Sequence, residues 1–331
     1  MILRILLLTL FLSKIAWLNA QGIDYVHPNK ASFQHSLICT VFKVVGLKKG
    51  KTNSGPDNFY TRKKPLKKLY RKHIIEKIKV DDRDVYNLAP CKVKSGFTVI
   101  YLHGGAYTAN FMKQHWLFIS KLVRKKAVKV IAPDYPLAPD FNWRHNLSFV
   151  LKCYRKALES SAADSIIFMG DSAGGGLALA LAMAARDEGL AQPHQIIMLA
   201  PWLDLQMGNP EIAKLEKNDP MLNLKIIHKA AMSYALDSAS MTNPYVSPIY
   251  GNLLELAPMS IFIGGRDVLK ADTEKFKAMC EVQGIETDYF YYPKMMHVWM
   301  LAAFLPESKK AFSQIGNLID SKTKSSVYEK R

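Results

Sequence analysis

The feature that most constrains the fold is a glycine-rich turn between an apolar run and a helix-forming run. Residues 165–185 read SIIFMGDSAGGGLALALAMAA. The apolar residues 166–169 predict a buried strand, and the alanine- and leucine-rich run from Leu177 predicts a helix. The segment GDSAG at 170–174 must then be a sharp turn that holds Ser172 in a strained conformation, which requires glycine on both sides. Because a helix amino terminus presents free N–H groups at this point, the turn suits a nucleophile beside an oxyanion site.

Strands and helices alternate from about residue 80 towards the carboxyl terminus. Such alternation predicts an α/β fold with a mostly parallel sheet covered by helices on both faces. The chain has 331 residues, of which 49% are hydrophobic, so it can bury the hydrophobic core that such a fold requires. Apolar strands are predicted at residues 97–102, 128–132, 166–169, 195–199, 259–263 and 287–292, with a hairpin over 74–88 before them.

The first twenty residues, MILRILLLTLFLSKIAWLNA, place Arg4 before an apolar run and end in a small residue, Ala20. This pattern predicts a signal peptide or membrane anchor at 1–20, and therefore export or membrane association. The alternative is a cap helix on a cytoplasmic protein, because Lys14 interrupts the apolar run. The rest is expected to divide into a basic amino-terminal cap or accessory segment (21–79), a catalytic domain (80–325) with an insertion (202–258), and a tail (326–331).

The net charge of +17 is unevenly distributed. Between residues 43 and 79 there are thirteen Lys or Arg and only two acidic residues, Asp57 and Glu76. Such a segment is compatible with peripheral association with an anionic membrane or with a simple solvated surface. No motif typical of nucleic-acid binding accompanies it, so no nucleic-acid partner is predicted. The sequence does not set the oligomeric state.

The four cysteines are widely separated and form no C-x-x-C pair. This spacing argues against a zinc site and against a small disulfide-stapled fold, although one or two disulfides are compatible with export. Buried free thiols are the ordinary alternative for such residues. No metal and no cofactor are predicted.

A serine nucleophile needs a histidine base that is itself oriented by an acid. In the α/β-hydrolase arrangement, the acid and then the histidine follow the serine along the chain. Three histidines follow Ser172. His194 lies just before a strand, at the wrong end of the sheet, and His228 lies in a helical pattern. His297 is the predicted base, because its loop follows the last strand and can reach back over the strand ends.

The acid is expected in a loop after an earlier strand. Asp267 leaves the strand at 259–263 at its carboxyl end, where sites in parallel sheets collect, so it is the predicted acid. Asp272 is the second choice and fits better as a helix N-cap. Asp204 and Asp219 lie in the insertion and are expected to be surface or cap residues.

An oxyanion site requires backbone N–H donors where negative charge develops. Gly104 and Gly105 follow the strand at 97–102 and offer two unobstructed amides, and Ala173 offers a third at the start of the helix after Ser172. His103 is expected to orient the glycine loop rather than to transfer protons. A simple turn at the strand end is the alternative for this short tripeptide.

Four short segments and two loops together resemble the hormone-sensitive-lipase-like family of carboxylesterases within the α/β hydrolases. They are YLHGGA at 101–106, DYPLAP at 134–139, GDSAGG at 170–175, SPIYG at 247–251, and the loops that carry Asp267 and His297. The resemblance spans about Val80 to the carboxyl terminus. It implies an eight-stranded sheet, a helical cap formed partly by the amino-terminal segment, no metal, and hydrolysis of carboxylic esters with short to medium acyl chains.

This sequence departs from the family pattern at two points. The loop reads HGGA where many members have a third glycine, and Pro136 and Asp140 replace the usual Arg and Glu. Neither change touches a proposed catalytic group. The sequence therefore predicts a serine carboxylesterase that acts on small-molecule esters or acetylated compounds. The alternative is a non-catalytic membrane- or polyanion-binding protein on a hydrolase scaffold.

Overall fold

The computed structural model describes residues 22–28, 30–46, 48, 63–92 and 96–321. Within these residues a single sheet of nine strands runs through the centre of the molecule, in the order β1-β9-β8-β7-β6-β4-β5-β3-β2. The strands are β1 Asp24–Val26, β2 His73–Val80, β3 Arg83–Pro90, β4 Thr98–Leu102, β5 Lys129–Pro133, β6 Ile166–Asp171, β7 Gln195–Leu199, β8 Met259–Gly264 and β9 Thr287–Tyr292.

Neighbouring strands are parallel except at one edge, where β2 pairs antiparallel with β3 and β3 antiparallel with β5. The central strands β4, β6, β7 and β8 are buried along their whole length. This explains their continuous apolar sequences, because helices cover both faces of a parallel sheet.

Eight α-helices accompany the sheet in the described part of the chain. Residues of α3, α4 and α7 belong to the hydrophobic core on one face, and residues of α1, α2 and α8 belong to the core on the other. The helices are α1 Phe33–Val45, α2 Lys113–Lys126, α3 Trp143–Leu158, α4 Ala173–Asp187, α5 Glu211–Glu216, α6 Leu224–Ala235, α7 Lys270–Val282 and α8 Pro306–Asp320.

The predicted fold class, an α/β hydrolase fold with a mostly parallel sheet, is confirmed. The sheet has nine strands rather than the expected eight, because the short β1 adds to the edge of β9 in a parallel register. The segment 21–79, expected to be a cap or accessory segment, thus supplies strands to the sheet at both edges. The proposed leader at 1–20 and tail at 326–331 lie outside the described residues.

The insertion carries α5 and α6 and meets the amino-terminal segment directly. The Lys48 ammonium donates to the backbone carbonyl of Glu216, and Asn223 donates to the carbonyl of Lys48 (3.1 Å). These contacts join the amino-terminal segment, which was expected to form part of a cap, to the insertion.

The cysteine thiols are free. Cys39, Cys153 and Cys280 are buried, and Cys91 is exposed. Among the helices in the described ranges, none is both long enough and apolar enough to cross a bilayer.

Candidate active site

The turn between β6 and α4 places Ser172 at the carboxyl edge of the sheet. Ser172 has φ 53° and ψ −121°, a strained backbone conformation for a residue with a side chain. A Cβ atom on Gly170 would collide with the carbonyl of Gly174, and one on Gly174 would collide with the carbonyl of Leu102. The turn therefore accepts only glycine at these two positions, as the sequence pattern requires.

The structure brings Ser172, His297 and Asp267 together. His297 Nε2 lies 2.9 Å from Ser172 Oγ, and His297 Nδ1 lies 2.7 Å from Asp267 Oδ2. Asp267 follows β8 and His297 follows β9, so the parallel strands deliver both side chains to the edge where Ser172 lies. Both side chains are buried, with exposed fractions of 0% and 4%.

The second carboxylate oxygen of Asp267 also accepts a hydrogen bond. Asp267 Oδ1 accepts a hydrogen bond from the backbone N–H of Leu269 (3.0 Å). This bond leaves Oδ2 to accept from Nδ1–H of His297, which fixes the tautomer whose unprotonated Nε2 faces Ser172. The arrangement is that of a serine activated by an oriented base.

The carboxylates around His297 control its protonation. Burial disfavours the imidazolium, but the negative charge of Asp267 and its hydrogen bond outweigh burial and raise the pKa of His297, with smaller contributions from Asp219 and Asp171. A buried base with a raised pKa can accept a proton from a serine hydroxyl more readily than an isolated imidazole in the same apolar setting.

The glycine loop lies directly against the Ser172 turn. A Cβ atom on Gly104 would be 3.1 Å from the Cβ of Ser172 and would collide with the carboxylate of Asp171. Gly105 has φ 122°, and a Cβ there would lie 2.7 Å from the carbonyl oxygen of Ala109. Both positions therefore require glycine, and Gly104 lies directly beside the Ser172 side chain.

Ala173 is the first residue of α4, and Ser172 is its N-cap. The first N–H groups of a helix have no partner within the helix. The Ala173 amide thus lies next to Ser172 at the positive end of the α4 dipole. The structure thus places Gly104 and Ala173, two of the three predicted oxyanion donors, beside the Ser172 side chain, and the role of all three amides stays a prediction.

His103 is buried beneath this loop. Its Nδ1–H donates to the carbonyl oxygen of Gly104 (2.7 Å), and its ring stacks on Tyr135 with a centroid distance of 4.2 Å. Burial and the neighbouring His115 lower the pKa of His103 to about 3, so the ring is neutral. Because the peptide unit is planar and trans, holding the Gly104 carbonyl also fixes the opposite direction of the Gly105 N–H.

Asp171 is a buried support that sequence reasoning did not single out. It accepts hydrogen bonds from Tyr101 Oη (2.6 Å) and from Nε2 of His115 (3.2 Å). Burial opposes its charge, but His115 and Tyr101 outweigh burial and lower the pKa of Asp171. Its position inside the GDSAG motif and that of Tyr101 at the start of YLHGGA were the available signals, whereas nothing in the sequence pointed to His115.

Two acids of the insertion are buried, which contradicts the surface position that was one of the two alternatives expected for them. Asp204 and Asp219 were expected at the surface or in caps, but the exposed fraction of each is only 2%. Asp219 Oδ1 accepts from the backbone N–H groups of Met221 and Leu222, and its Oδ2 accepts from Val268 N–H (3.0 Å). The insertion folds onto the site, which no local pattern indicates.

Asp272 is also placed differently from the expectation. It lies inside the first turn of α7, whose N-cap is Leu269, and it is buried rather than capping. Burial and the nearby Asp204 raise the pKa of Asp272 to about 7. The two carboxyl groups form a buried acidic pair on the insertion side of α7.

The two rejected histidines lie away from Ser172. His194 precedes β7, donates its backbone N–H to Ile166 at the start of β6, and packs against Phe97. It therefore lies at the amino edge of the sheet, as predicted. His228 is exposed on α6.

Four apolar residues near the motif ends, Tyr107, Phe111, Met112 and Trp202, are candidates either for an acyl pocket or for the core. Tyr107 and Trp202 are buried, and Tyr107 stacks on Tyr234 with a centroid distance of 3.7 Å. Phe111 stacks on Trp116. A separate cleft of 310 Å³ opens between β2, β3 and α3 and contains none of the residues gathered around Ser172.

Comparison with known proteins places the chain in a family. Residues 99–301, more than half of the chain, match the alpha/beta hydrolase fold family. An esterase of Acinetobacter venetianus is 27% identical over 67% of this chain and 74% of its own length. An acetyl-hydrolase of Streptomyces hygroscopicus is 28% identical over 70% of this chain and 77% of its own length.

A solved structure supports the same assignment. An esterase from the bacterial hormone-sensitive lipase family superposes with a TM-score of 0.72 at 25% identity, covering 88% of this chain and 92% of the other. The chain belongs to the alpha/beta hydrolase fold family. Within that family it is a carboxylesterase- and lipase-like hydrolase of the hormone-sensitive-lipase type, and the comparisons do not favour the non-catalytic alternative.

Proposed function

We propose that the protein hydrolyses carboxylic esters of short to medium acyl length, including acetylated compounds, through an acyl-enzyme on Ser172. The observation that carries the proposal is the unbroken chain of contacts from Ser172 Oγ through His297 to Asp267, at 2.9 and 2.7 Å. The names of the two relatives, an esterase and an acetyl-hydrolase, support this reaction and this substrate class.

In the first half of the reaction, Ser172 Oγ attacks the ester carbonyl carbon while His297 Nε2 takes the hydroxyl proton. The carbonyl π electrons move onto the oxygen, and the amides of Gly104, Gly105 and Ala173 stabilise the resulting oxyanion. Asp267 stabilises the imidazolium without accepting its proton. Collapse of the intermediate breaks the bond to the alcohol oxygen, which receives the proton from His297, and leaves the acyl group on Ser172.

In the second half, a water molecule takes the place of the alcohol. His297 removes a proton from the water as its oxygen attacks the acyl carbon, and the same three amides stabilise the second oxyanion. The bond to Ser172 Oγ then breaks, and His297 returns its proton to that oxygen. The acid is released and the starting protonation state is restored.

The chemistry is tested by turnover of p-nitrophenyl acetate and butyrate, extended to a series of longer acyl chains. We expect activity to be highest for the short and medium esters and to disappear in Ser172→Ala. A fluorophosphonate should label the wild-type protein at Ser172, identified by mass spectrometry of the modified peptide.

His297→Asn should lose both turnover and labelling, because the serine loses its base. The exposed His228 provides the matched control, and His228→Asn should retain both. Turnover that persists in Ser172→Ala, or label found on another residue, would contradict the proposed nucleophile. Activity confined to long-chain esters would contradict the proposed substrate range.

We further propose export or membrane association through residues 1–20. The support is the run of apolar residues after Arg4 and the small residue Ala20. Sequencing the amino terminus of the protein purified from its native source tests this proposal. A new terminus near residue 21 supports cleavage, and an intact terminus on protein recovered only from the soluble cell fraction contradicts it.

A further inference from the structure

The helix α1 carries an apolar face that points away from the molecule. Five apolar residues lie on this outward face beside the exposed Gln34, with exposed fractions of 78%, 52%, 45%, 82% and 67% along the chain: Phe33, Leu37, Val41, Val44 and Val45. At 3.6 residues per turn these five positions fall within an arc of about 120°. Exposed apolar residues gathered on one face of a helix mark an interaction surface more strongly than scattered ones do.

The opposite face of α1 fastens the helix to the loops of the candidate active site. His35 and Cys39 are buried there. His35 Nε2 accepts the backbone N–H of Met296 (3.3 Å), next to His297, and Cys39 lies close enough to Arg266, next to Asp267, for the guanidinium to influence its thiol. The inner face of α1 therefore contacts the two loops that carry His297 and Asp267, and the outward face lies on the other side of the helix.

The start of α1 is anchored independently of that face. Ser32 caps the helix by accepting from His35 N–H (3.2 Å), and Ser32 itself donates from its N–H and its hydroxyl to the buried carboxylate of Glu307 (2.6 and 2.9 Å). Substitutions on the outward face leave these bonds untouched. The helix should therefore keep its place when that face is changed.

The sequence that contains and follows α1 is strongly basic. From His27 to Ile75 the sequence contains twelve Lys or Arg and one acidic residue, Asp57. Among them, Lys43 is exposed in the last turn of α1, and Lys63, Lys64, Lys67 and Lys68 are exposed further along the segment. Apolar side chains flanked by lysines match an anionic bilayer, whose headgroups attract cations and whose interior accepts the apolar groups.

We propose that the outward face of α1 is a docking surface for an anionic lipid bilayer. Thirteen residues of helix measure about 20 Å, too short to span a membrane, so α1 would lie in the interface with its apolar face buried. Because α1 contacts the loops of His297 and Asp267, docking would hold the catalytic edge of the sheet close to the surface where apolar esters accumulate.

The test measures binding of the full chain to sedimenting vesicles of phosphatidylcholine with about one third phosphatidylserine, and to vesicles of phosphatidylcholine alone. The full chain should prefer the anionic vesicles. A variant with Leu37→Gln, Val41→Gln and Val44→Gln should bind them at least about tenfold more weakly, because three apolar groups no longer enter the bilayer. Lys43→Glu with Lys67→Glu and Lys68→Glu should abolish the preference for anionic lipid.

The matched control is Val282→Gln with Leu254→Gln, which removes two exposed apolar residues outside α1, and it should bind like the wild type. Hydrogen exchange of residues 33–45 should slow in the presence of anionic vesicles in the wild type only. Equal binding by the wild type and the Leu37/Val41/Val44 variant would overturn the proposal. A dimer that depends on these residues, without vesicle binding, would overturn it in favour of a second copy of the chain.

These outcomes are independent of the proposed reaction. The Leu37/Val41/Val44 variant should turn over the soluble ester p-nitrophenyl acetate like the wild type, and Ser172→Ala should still bind vesicles. Wild-type protein that hydrolyses the ester but does not bind anionic vesicles would refute only the docking surface, whereas wild-type protein that binds the vesicles but does not hydrolyse the ester would refute only the esterase.

Discussion

The carboxylate of Asp219 accepts a hydrogen bond from the backbone N–H of Val268, the residue directly after Asp267 (3.0 Å). A second buried carboxylate thus braces the loop that carries the acid next to His297. Burial and the charge of Asp267 raise the pKa of Asp219 to about 6. When Asp219 ionises, its charge adds to that of Asp267 and raises the pKa of His297 further.

Substitution of Asp219 is expected to change the pH dependence of ester hydrolysis. Asp219→Asn removes a negative charge near His297, so the pKa of His297 falls. Because the base must be neutral to accept the serine proton, the acid limb of the kcat/KM profile should move to lower pH. The measurement is kcat/KM for p-nitrophenyl acetate across the acid limb.

The control for this shift is Asp140→Asn, an exposed carboxyl group on the loop after β5, which should leave the profile unchanged. If Asp219 had only a structural role, Asp219→Asn would lower kcat and would leave the acid limb of the kcat/KM profile at the same pH. A shift of the limb to higher pH would contradict the electrostatic account.

Asp267→Asn is expected to lower kcat by about 10⁴. The neutral Asn side chain cannot stabilise the His297 imidazolium. It can also donate to Nδ1 of His297, which places the ring proton on the nitrogen that faces Ser172. The KM should change little, because Asp267 is fully buried and does not face solvent. Stopped-time assays of the purified variant measure both constants, and a loss of less than about tenfold would argue against Asp267 as the orienting acid.

Gly105→Ala is expected to impair the glycine loop. Its φ of 122° disfavours a side chain, and the added methyl group would lie 2.7 Å from the carbonyl oxygen of Ala109. The loop must shift, so its amides move away from the oxyanion position and kcat should fall by about 10². Gly208→Ala is the matched control, because a Cβ atom at Gly208 meets nothing within 4 Å. Equal kcat in the two variants would exclude this loop from the reaction.

Asp272→Asn is expected to stabilise the protein at alkaline pH. The pKa of Asp272 is about 7 in the folded chain, against 3.8 in its ordinary state, so the unfolded chain loses this proton first as the pH rises. The free energy of unfolding therefore falls as the pH rises from the lower to the higher of these two pKa values. The Asp272→Asn variant, which cannot ionise, should recover about 2 kcal/mol of that loss near pH 8.

The measurement for Asp272 is urea unfolding of the wild type and the variant at several pH values. The gain in the free energy of unfolding should disappear towards about pH 4, where the carboxyl group is neutral in both states. Asp164→Asn, at an exposed site, should show no such dependence. A variant that is less stable than the wild type at every pH would contradict the assigned cost of ionisation.

The central strands could be predicted from the sequence because each is a short apolar run between polar turns. The predicted strands at 195–199 and 287–292 match β7 and β9 residue for residue. By contrast, the three-residue β1 has a mixed polar and apolar sequence and joins the sheet only because β9 offers a free edge. Its pairing depends on a partner more than 260 residues away, so no local pattern reveals it.

Local chemistry by itself determined the nucleophile turn, the glycine loop and the choice of His297 and Asp267. The sharp turn requires glycine at 170 and 174, and the topology of the fold sets the chain order of serine, acid and histidine. Both patterns can be read directly from the sequence. Only the tertiary structure decided the burial of Asp204, Asp219 and Asp272, the support from Tyr101 and His115, and the direction of the apolar face of α1. These features arise where distant segments pack together, and a side chain's burial and electrostatic surroundings are properties of that packing rather than of its neighbours in sequence.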